Sequence, residues 1–512
     1  MKQRNIGIVL SYTNTFLSMF SGLVTSVFLL RELGDVNYGV YQAIAAFVTC
    51  LVLLEFGTGT VMTRNLVTCL AKGRDEEQLH KNISTIWGVA CFLAAIIFIV
   101  SIGFYFSIDH IYAKSMTALQ IAEAKKIFIF MSIFLIASFA TQTIGGMPLA
   151  FENYLFAAKL SIFRNTFRII LVIAVVLCVK RAVAVAIVDC CLSIGIFIFT
   201  YLYCRRKFKV KINLNDFDKN VFKIALPLCF ALFLQIVVTQ ANSTVGKFVI
   251  SVMLTPDKVA LYSIGLYIFG MYSSIATIPV SMYMPQIGKD VIAGVEGLNL
   301  TKSLIQPSRL IVIISGSVVF GFIAVGQQFI EILYGSKFIQ AWPIAMILMI
   351  PMFINMSNAV VINVLDIKNK RHIRSIIMMI STVINVILTV IWIKKYGVIG
   401  AACSTGLSTI IMLVLTNLYY SKAIGIRVLF LYFQAYKGIL IYQICGALIG
   451  YGVGFVIKNQ YISFFAGGFA YILVSFGGFI FKGMNPIEKD FLRHLILRIR
   501  ELPFVKKIYC RG

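Results

Sequence analysis

Residues 83–108 read ISTIWGVACFLAAIIFIVSIGFYFSI, twenty-six residues without a single Asp, Glu, Lys or Arg. A bilayer's hydrocarbon core is about 30 Å thick and takes roughly 20 apolar residues of helix to cross, with every backbone hydrogen bond made inside the segment. The stretch therefore predicts a transmembrane helix. Similar runs, free or nearly free of charge, lie at 6–30, 38–62, 127–151, 160–179, 182–204, 224–254, 259–288, 310–330, 338–365, 375–393, 396–421, 438–457 and 459–481. Taken together they predict an all-α polytopic membrane protein of about fourteen spans.

Composition supports this. Of 512 residues, 60% are hydrophobic and 13% charged, and the mean hydropathy is +0.91; soluble domains carry about 25% charged residues. Lys2 and Arg4 precede the first span like the start of a signal peptide. A signal's apolar region is about 7–15 residues, whereas this one runs unbroken to Arg31, so cleavage is not expected.

An even number of spans puts both termini on one side. With the N-terminus inside, about 34 of the 46 Lys and Arg fall on the cytoplasmic side, as the positive-inside rule requires. The net charge of +26 is scattered over many short connections, which suits anionic lipid headgroups rather than nucleic acid. From Pro486 to Leu502, Phe491, Leu492, Leu495, Ile496 and Ile499 share one helical face flanked by Arg493 and Arg500; this predicts an interfacial helix. The eleven cysteines lie mostly inside spans and form no CxxC pair, so they read as small apolar fillers, with no metal and no cofactor expected.

The longest basic connection, CRRKFKVKINLNDFDKNVFK at 204–223, divides the first twelve spans six and six. LGDVNYGVYQA around Tyr38 matches LTPDKVALYSI around Tyr262, pairing Tyr41 with Tyr262, and VKRAVAVAIV from Val179 matches IKKYGVIGAA from Ile393. The expected organisation is a six-helix lobe at 1–210, a second at 211–425, two appended helices at 426–483 and a cytoplasmic amphipathic tail at 484–512. Gly446, Gly450 and Gly454 form a small-residue stripe for close helix packing in the appended pair.

LLRELGDVNYGVYQ, LTPDKVALYSIG, ILYGSKFIQAW and INVILTVIWIKKYGVIGAACSTGLS resemble the multidrug/oligosaccharidyl-lipid/polysaccharide exporter superfamily, and within it the Wzx-type O-antigen flippases. The resemblance covers the chain from the first span to the last. It implies two six-helix lobes around a central cavity, and alternating access acting on an undecaprenyl-diphosphate-linked oligosaccharide. It also implies a bacterial inner-membrane location and work alongside polysaccharide polymerase and chain-length proteins. A drug or other lipid-linked precursor exporter would share this architecture, and a membrane glycan polymerase is the enzyme alternative.

A diphosphate crossing bare lipid would shed water from its charges at a cost of several kcal/mol or more. Polar residues inside spans are the candidates for lowering that barrier. Lys247, with Gln240 and Asn242 one to two turns below it in VTQANSTVGKFVIS, forms the most polar patch in any span. Arg164 and Arg168 lie one turn apart at the inner end of their span, and Arg64 at the inner end of its own; these six are the expected substrate contacts. Asp189 in AVAIVDCCLS and Glu55 in LVLLEFGTG are intramembrane carboxylates and candidate coupling-ion sites. No Walker A, HExxH or GxSxG sequence is present, so neither ATP-driven nor hydrolytic chemistry is expected.

Overall fold

The computed structural model describes residues 2–71, 73, 76–208, 216–368, 370–486, 488–490 and 493, and every regular element among them is helical. In chain order the α-helices are α1 (Lys2–Leu51), α2 (Thr58–Ala71), α3 (Glu76–Tyr112), α4 (Ala118–Ala150), α5 (Tyr154–Val179), α6 (Ala182–Lys207), α7 (Lys219–Met253) and α8 (Pro256–Ile292). They continue as α9 (Gly297–Tyr334), α10 (Ala341–Met356), α11 (Ala359–Ile367), α12 (Arg371–Ile424), α13 (Val428–Tyr436), α14 (Leu440–Val456) and α15 (Gln460–Gly478). The amphipathic segment expected from Pro486 to Leu502 lies, past Asp490 and apart from Arg493, outside the described residues.

Nine described helices are long and apolar enough to cross a membrane. The number rises to eleven when each bent pair, α10 with α11 (49°) and α13 with α14 (52°), is taken as one span. Large apolar side chains such as Phe98, Phe106, Phe163 and Phe465 are exposed, the pattern of a surface solvated by lipid rather than water.

At 1.5 Å per residue α1 would run about 75 Å if straight, far more than one bilayer crossing. It breaks at Gly34, where φ is 77° and ψ 166°, and α12 breaks likewise at Gly397 (φ 57°, ψ −135°). A side chain would oppose such backbone angles, and glycine does not. Each break sits beside charged residues, Arg31 and Glu32 in one case and Lys394 and Lys395 in the other.

The chain divides into two compact units. The first comprises Met1–Met271, Pro343–Ala345 and Ser375–Met412. In it α4 packs on α2, α3 and α6, while α1 packs on α5. α2 meets α4 so closely that a Cβ on Gly146 would overlap the carbonyl of Gly59. The seam is joined by a 2.7 Å Thr58–Thr143 hydroxyl bond and by Thr63 Oγ1 donating to the Gly146 carbonyl at 3.0 Å.

The second unit comprises Tyr272–Trp342, Met346–Arg374 and Leu413–Gly512. In it α9 packs on α13, α14 and α15. The small-residue stripe lies where α14 meets its neighbours: a Cβ on Gly450 would come within 2.8 Å of Ala324 Cβ and of the Gly467 carbonyl. Arg309 of α9 is buried here, although it reads in sequence as one more cytoplasmic flanking charge. Its guanidinium donates to both Glu488 carboxylate oxygens (2.8 and 3.1 Å) and to the carbonyls of Gln434, Lys437 and Gly483.

Candidate functional site

On α5, Ser161, Arg164, Asn165 and Arg168 recur at helical spacing and share one face. The face meets α1 through a side-chain ladder. Asn14 Nδ2 donates to Ser161 Oγ at 2.8 Å, and Asn165 Nδ2 donates to Asn14 Oδ1 at 3.1 Å.

One turn on, Arg168 turns to α6 and grips Asp189 with both arms, Nε to Oδ1 at 2.5 Å and Nη2 to Oδ2 at 2.8 Å. Tyr41 of α1 donates its hydroxyl to the same Oδ2 at 3.4 Å. Asp189 is 7% exposed and Tyr41 8%, so the carboxylate and the phenol are buried while the guanidinium side chain is partly exposed. A bidentate guanidinium–carboxylate pair is the geometry that makes such burial tolerable.

Arg164 is half-buried and has no hydrogen bond or ion pair among the described residues. The two guanidiniums thus face one carboxylate, which leaves one positive charge uncompensated inside an apolar bundle. An isolated charge in that setting is costly, and a passing anion would relieve it.

A second polar group lies on α7. Lys247 Nζ donates to Gln42 Oε1 at 2.6 Å, and Gln42 Nε2 donates to the Tyr38 hydroxyl at 2.7 Å. The stretch of α1 just past Gly34 therefore serves both groups, sending Tyr41 toward α6 and Gln42 toward α7. Tyr262, which the sequence pairs with Tyr41, has its hydroxyl near that of Thr405 of α12, both beside Gly246, and Thr405 donates to Asn385 Oδ1 at 3.3 Å. Where Tyr41 meets a carboxylate, Tyr262 meets a hydroxyl.

The structure thus brings Arg168 and Asp189 together, keeps Arg164 on the adjoining turn, and gives Lys247 a neutral partner. Arg64 is exposed on α2, and Glu55 is half-buried at the end of the turn before it; neither has a hydrogen bond or ion pair from its side chain among the described residues. The side chains of Gln240 and Asn242 lie outside the described residues. Asn14, Tyr41, Gln42 and Asn165 were not among the sequence candidates. The polar periodicity at 161, 164, 165 and 168 is a signal in the sequence that could have found Asn165; for Asn14 and Gln42 only the packing of α1 reveals the role.

Comparison with known proteins agrees with this architecture. A curated relative, the probable low-salt glycan biosynthesis flippase Agl15 of Haloferax volcanii, is 27% identical over 183 residues, 35% of this chain. The chain spans 38% of the length of that relative. Among solved structures, lipid II flippase MurJ in an inward closed conformation superposes with a TM-score of 0.74 at 18% identity, covering 96% of this chain and 100% of that one. An inward-facing MATE family transporter of the MOP superfamily gives 0.61 at 13% identity, covering 81% and 97%. The all-helical fold is therefore shared with these transporters. The model of the family described as polysaccharide biosynthesis protein matches residues 5–289. That match takes in more than half of the sequence, and the chain belongs to this polysaccharide biosynthesis protein family.

Proposed function

We propose that this protein is a flippase that carries lipid-linked oligosaccharide across the membrane by alternating access, its lipid an undecaprenyl diphosphate and its glycan a surface repeat unit such as O-antigen. The observation that carries the reading is the uncompensated positive charge on Arg164, held within the bundle beside the Arg168–Asp189 pair. A bundle that exposes so much apolar surface to lipid gains nothing from an unpaired guanidinium unless an anion visits it.

In this reading Arg164, Arg64 and Lys247 meet the diphosphate, Arg168 holds Asp189 and the local geometry, and Gln240 and Asn242 serve the sugars. Of the two carboxylates proposed for a coupling ion, Asp189 is engaged by Arg168 and Tyr41, whereas Glu55 is open to a cation.

The same reading has fourteen crossings. The breaks at Gly34 and Gly397 turn α1 and α12 into two spans each, and α7 adds one to the apolar helices already counted. Both termini are then cytoplasmic in a bacterial inner membrane, with lobes at 1–210 and 211–425, an appended pair at 426–483 and a tail at 484–512. Polymerase and chain-length proteins would act on the delivered glycan at the far face. Complementation of a deletion strain tests the proposal. Undecaprenyl-linked repeat units should accumulate inside without the protein, and Arg164→Ala or Lys247→Ala should reduce surface display at normal membrane expression. A deletion strain that accumulates no lipid-linked glycan would refute it.

A further inference from the structure

The seam between α5 and α6 is open on its lipid-facing side. A groove of about 770 Å³ runs along it, lined chiefly by Phe156, Phe163 and Phe167 of α5 and by Gly195 and Phe199 of α6, with Lys159 near one end. From Phe156 to Leu171, both in its wall, α5 rises about 22 Å, more than the roughly 15 Å of hydrocarbon in one leaflet. Phe163 and Phe167 are 55% and 42% exposed, with their rings stacked 5.1 Å apart. A Cβ on Gly195 would meet nothing within 4 Å, so space is left along this wall where any other residue would intrude.

The end near Lys159 is polar and basic. Phe156 stacks on Tyr203 at 3.7 Å, and the Tyr203 hydroxyl accepts from Lys207 Nζ at 2.8 Å and from Asn153 Nδ2 at 2.7 Å. Lys159 is exposed and has no hydrogen bond or ion pair among the described residues. In segments 152–160 and 200–208, Lys159, Arg205, Arg206 and Lys207 stand against the single carboxylate of Glu152.

We propose that this groove is a binding site for an anionic phospholipid, separate from the transport cluster. One acyl chain lies between α5 and α6 against the phenylalanine rings, and the phosphate is met by Lys159 and by the remaining donors of Lys207. An ammonium has three N–H donors, so the bond to Tyr203 leaves Lys207 able to bind. An acyl chain matches the long apolar trough, and a negative headgroup matches its basic end. The site does not depend on the flippase reading, because its ligand is a resident of the membrane rather than the cargo.

Native mass spectrometry of the full-length protein, offered phosphatidylglycerol, phosphatidylcholine or polyprenyl phosphate in detergent, tests the proposal. One phosphatidylglycerol should be retained about 5- to 10-fold better than phosphatidylcholine, the preference that one or two lysines confer. Lys159→Gln should remove most of that preference. Gly195→Leu, which fills the trough, should lower retention of both phospholipids several-fold at an unchanged melting temperature. Should Gly195→Leu unfold the protein, Lys159→Gln decides alone. Equal retention of the two phospholipids by the unsubstituted protein would overturn the proposal, as would a Gly195→Leu variant that binds normally. Displacement of phosphatidylglycerol by equimolar polyprenyl phosphate would also overturn it and assign the groove to the cargo's tail.

Discussion

The guanidinium of Arg168 and the carboxylate of Asp189, 21 residues apart on neighbouring helices, are joined by two hydrogen bonds of 2.5 and 2.8 Å. Removing one member of such a pair strands the other, at a cost of about 3–5 kcal/mol when both are fully buried. The Arg168 side chain is 29% exposed, so the loss for Asp189→Asn should be smaller, about 2 kcal/mol. The apolar double substitution Arg168→Met with Asp189→Leu should melt close to the unsubstituted protein. Thermal melting in detergent measures both; a single variant as stable as the parent would show the pair to be dispensable.

Arg309 and Glu488 should show a larger effect, because their side chains are only 5% and 9% exposed. Arg309→Ala should destabilise by about 3–5 kcal/mol. The double variant with Glu488→Ala should be no worse than the sum, and better if the stranded charge dominates. Since Asn485 also bonds Gln306 at 2.8 Å and caps the Glu488 amide, truncation after Met484 should mimic Glu488→Ala. Melting temperatures of the three variants decide the matter.

Gly39 should tolerate no side chain. A Cβ there would overlap the carbonyl of Pro256, a backbone atom that cannot swing aside, so Gly39→Ala must part α1 from the start of α8. Loss of about 1–3 kcal/mol is expected. At Gly145 a Cβ meets nothing, and Gly145→Ala should be neutral or slightly stabilising. Equal melting of the two variants would contradict this packing.

Asp218 supplies the pH-dependent case. It precedes α7, its side chain accepts from the Asn220 amide at 2.8 Å, and that bond holds its carboxyl below the usual range. Because its folded value lies under that of the unfolded chain, the stabilisation is complete above about pH 4 and fades as the pH falls through the folded value. Asp218→Ala should therefore cost about 1 kcal/mol at pH 7, with the difference shrinking in acid. Paired melts at pH 7 and pH 3 check the sign.

Much of the fold was legible because bilayer thickness imposes its length on the sequence. The runs ending at Leu30 and beginning at Tyr38 bracket Gly34, and the gap between Ile393 and Tyr396 falls two residues before the break at Gly397. The glycines at 446 and 450 mark a close helix approach, as small residues in a span suggest. Side-chain partners were far less legible. Arg168 read as a substrate contact and Asp189 as a coupling site; that they satisfy each other depends on how α5 and α6 are rotated, which packing decides and hydropathy does not encode. Arg309 shows the same blindness, since its partner is 179 residues away and burial of an arginine at a span's edge leaves no one-dimensional trace. Gln42 lies just past a glycine break, and only the approach of α7 gives it Lys247.

The most direct measurement is translocation of a fluorescent polyprenyl-diphosphate oligosaccharide in proteoliposomes, read with a membrane-impermeant quencher. The purified protein should bring label from the inner leaflet within reach of the quencher, and Arg164→Gln should slow this at least about tenfold, the equivalent of 1.4 kcal/mol of lost anion stabilisation, while melting normally. Label that stays as protected as in protein-free vesicles, or a rate indifferent to Arg164, would contradict the claim that an unpaired guanidinium in this bundle serves the passage of a lipid diphosphate.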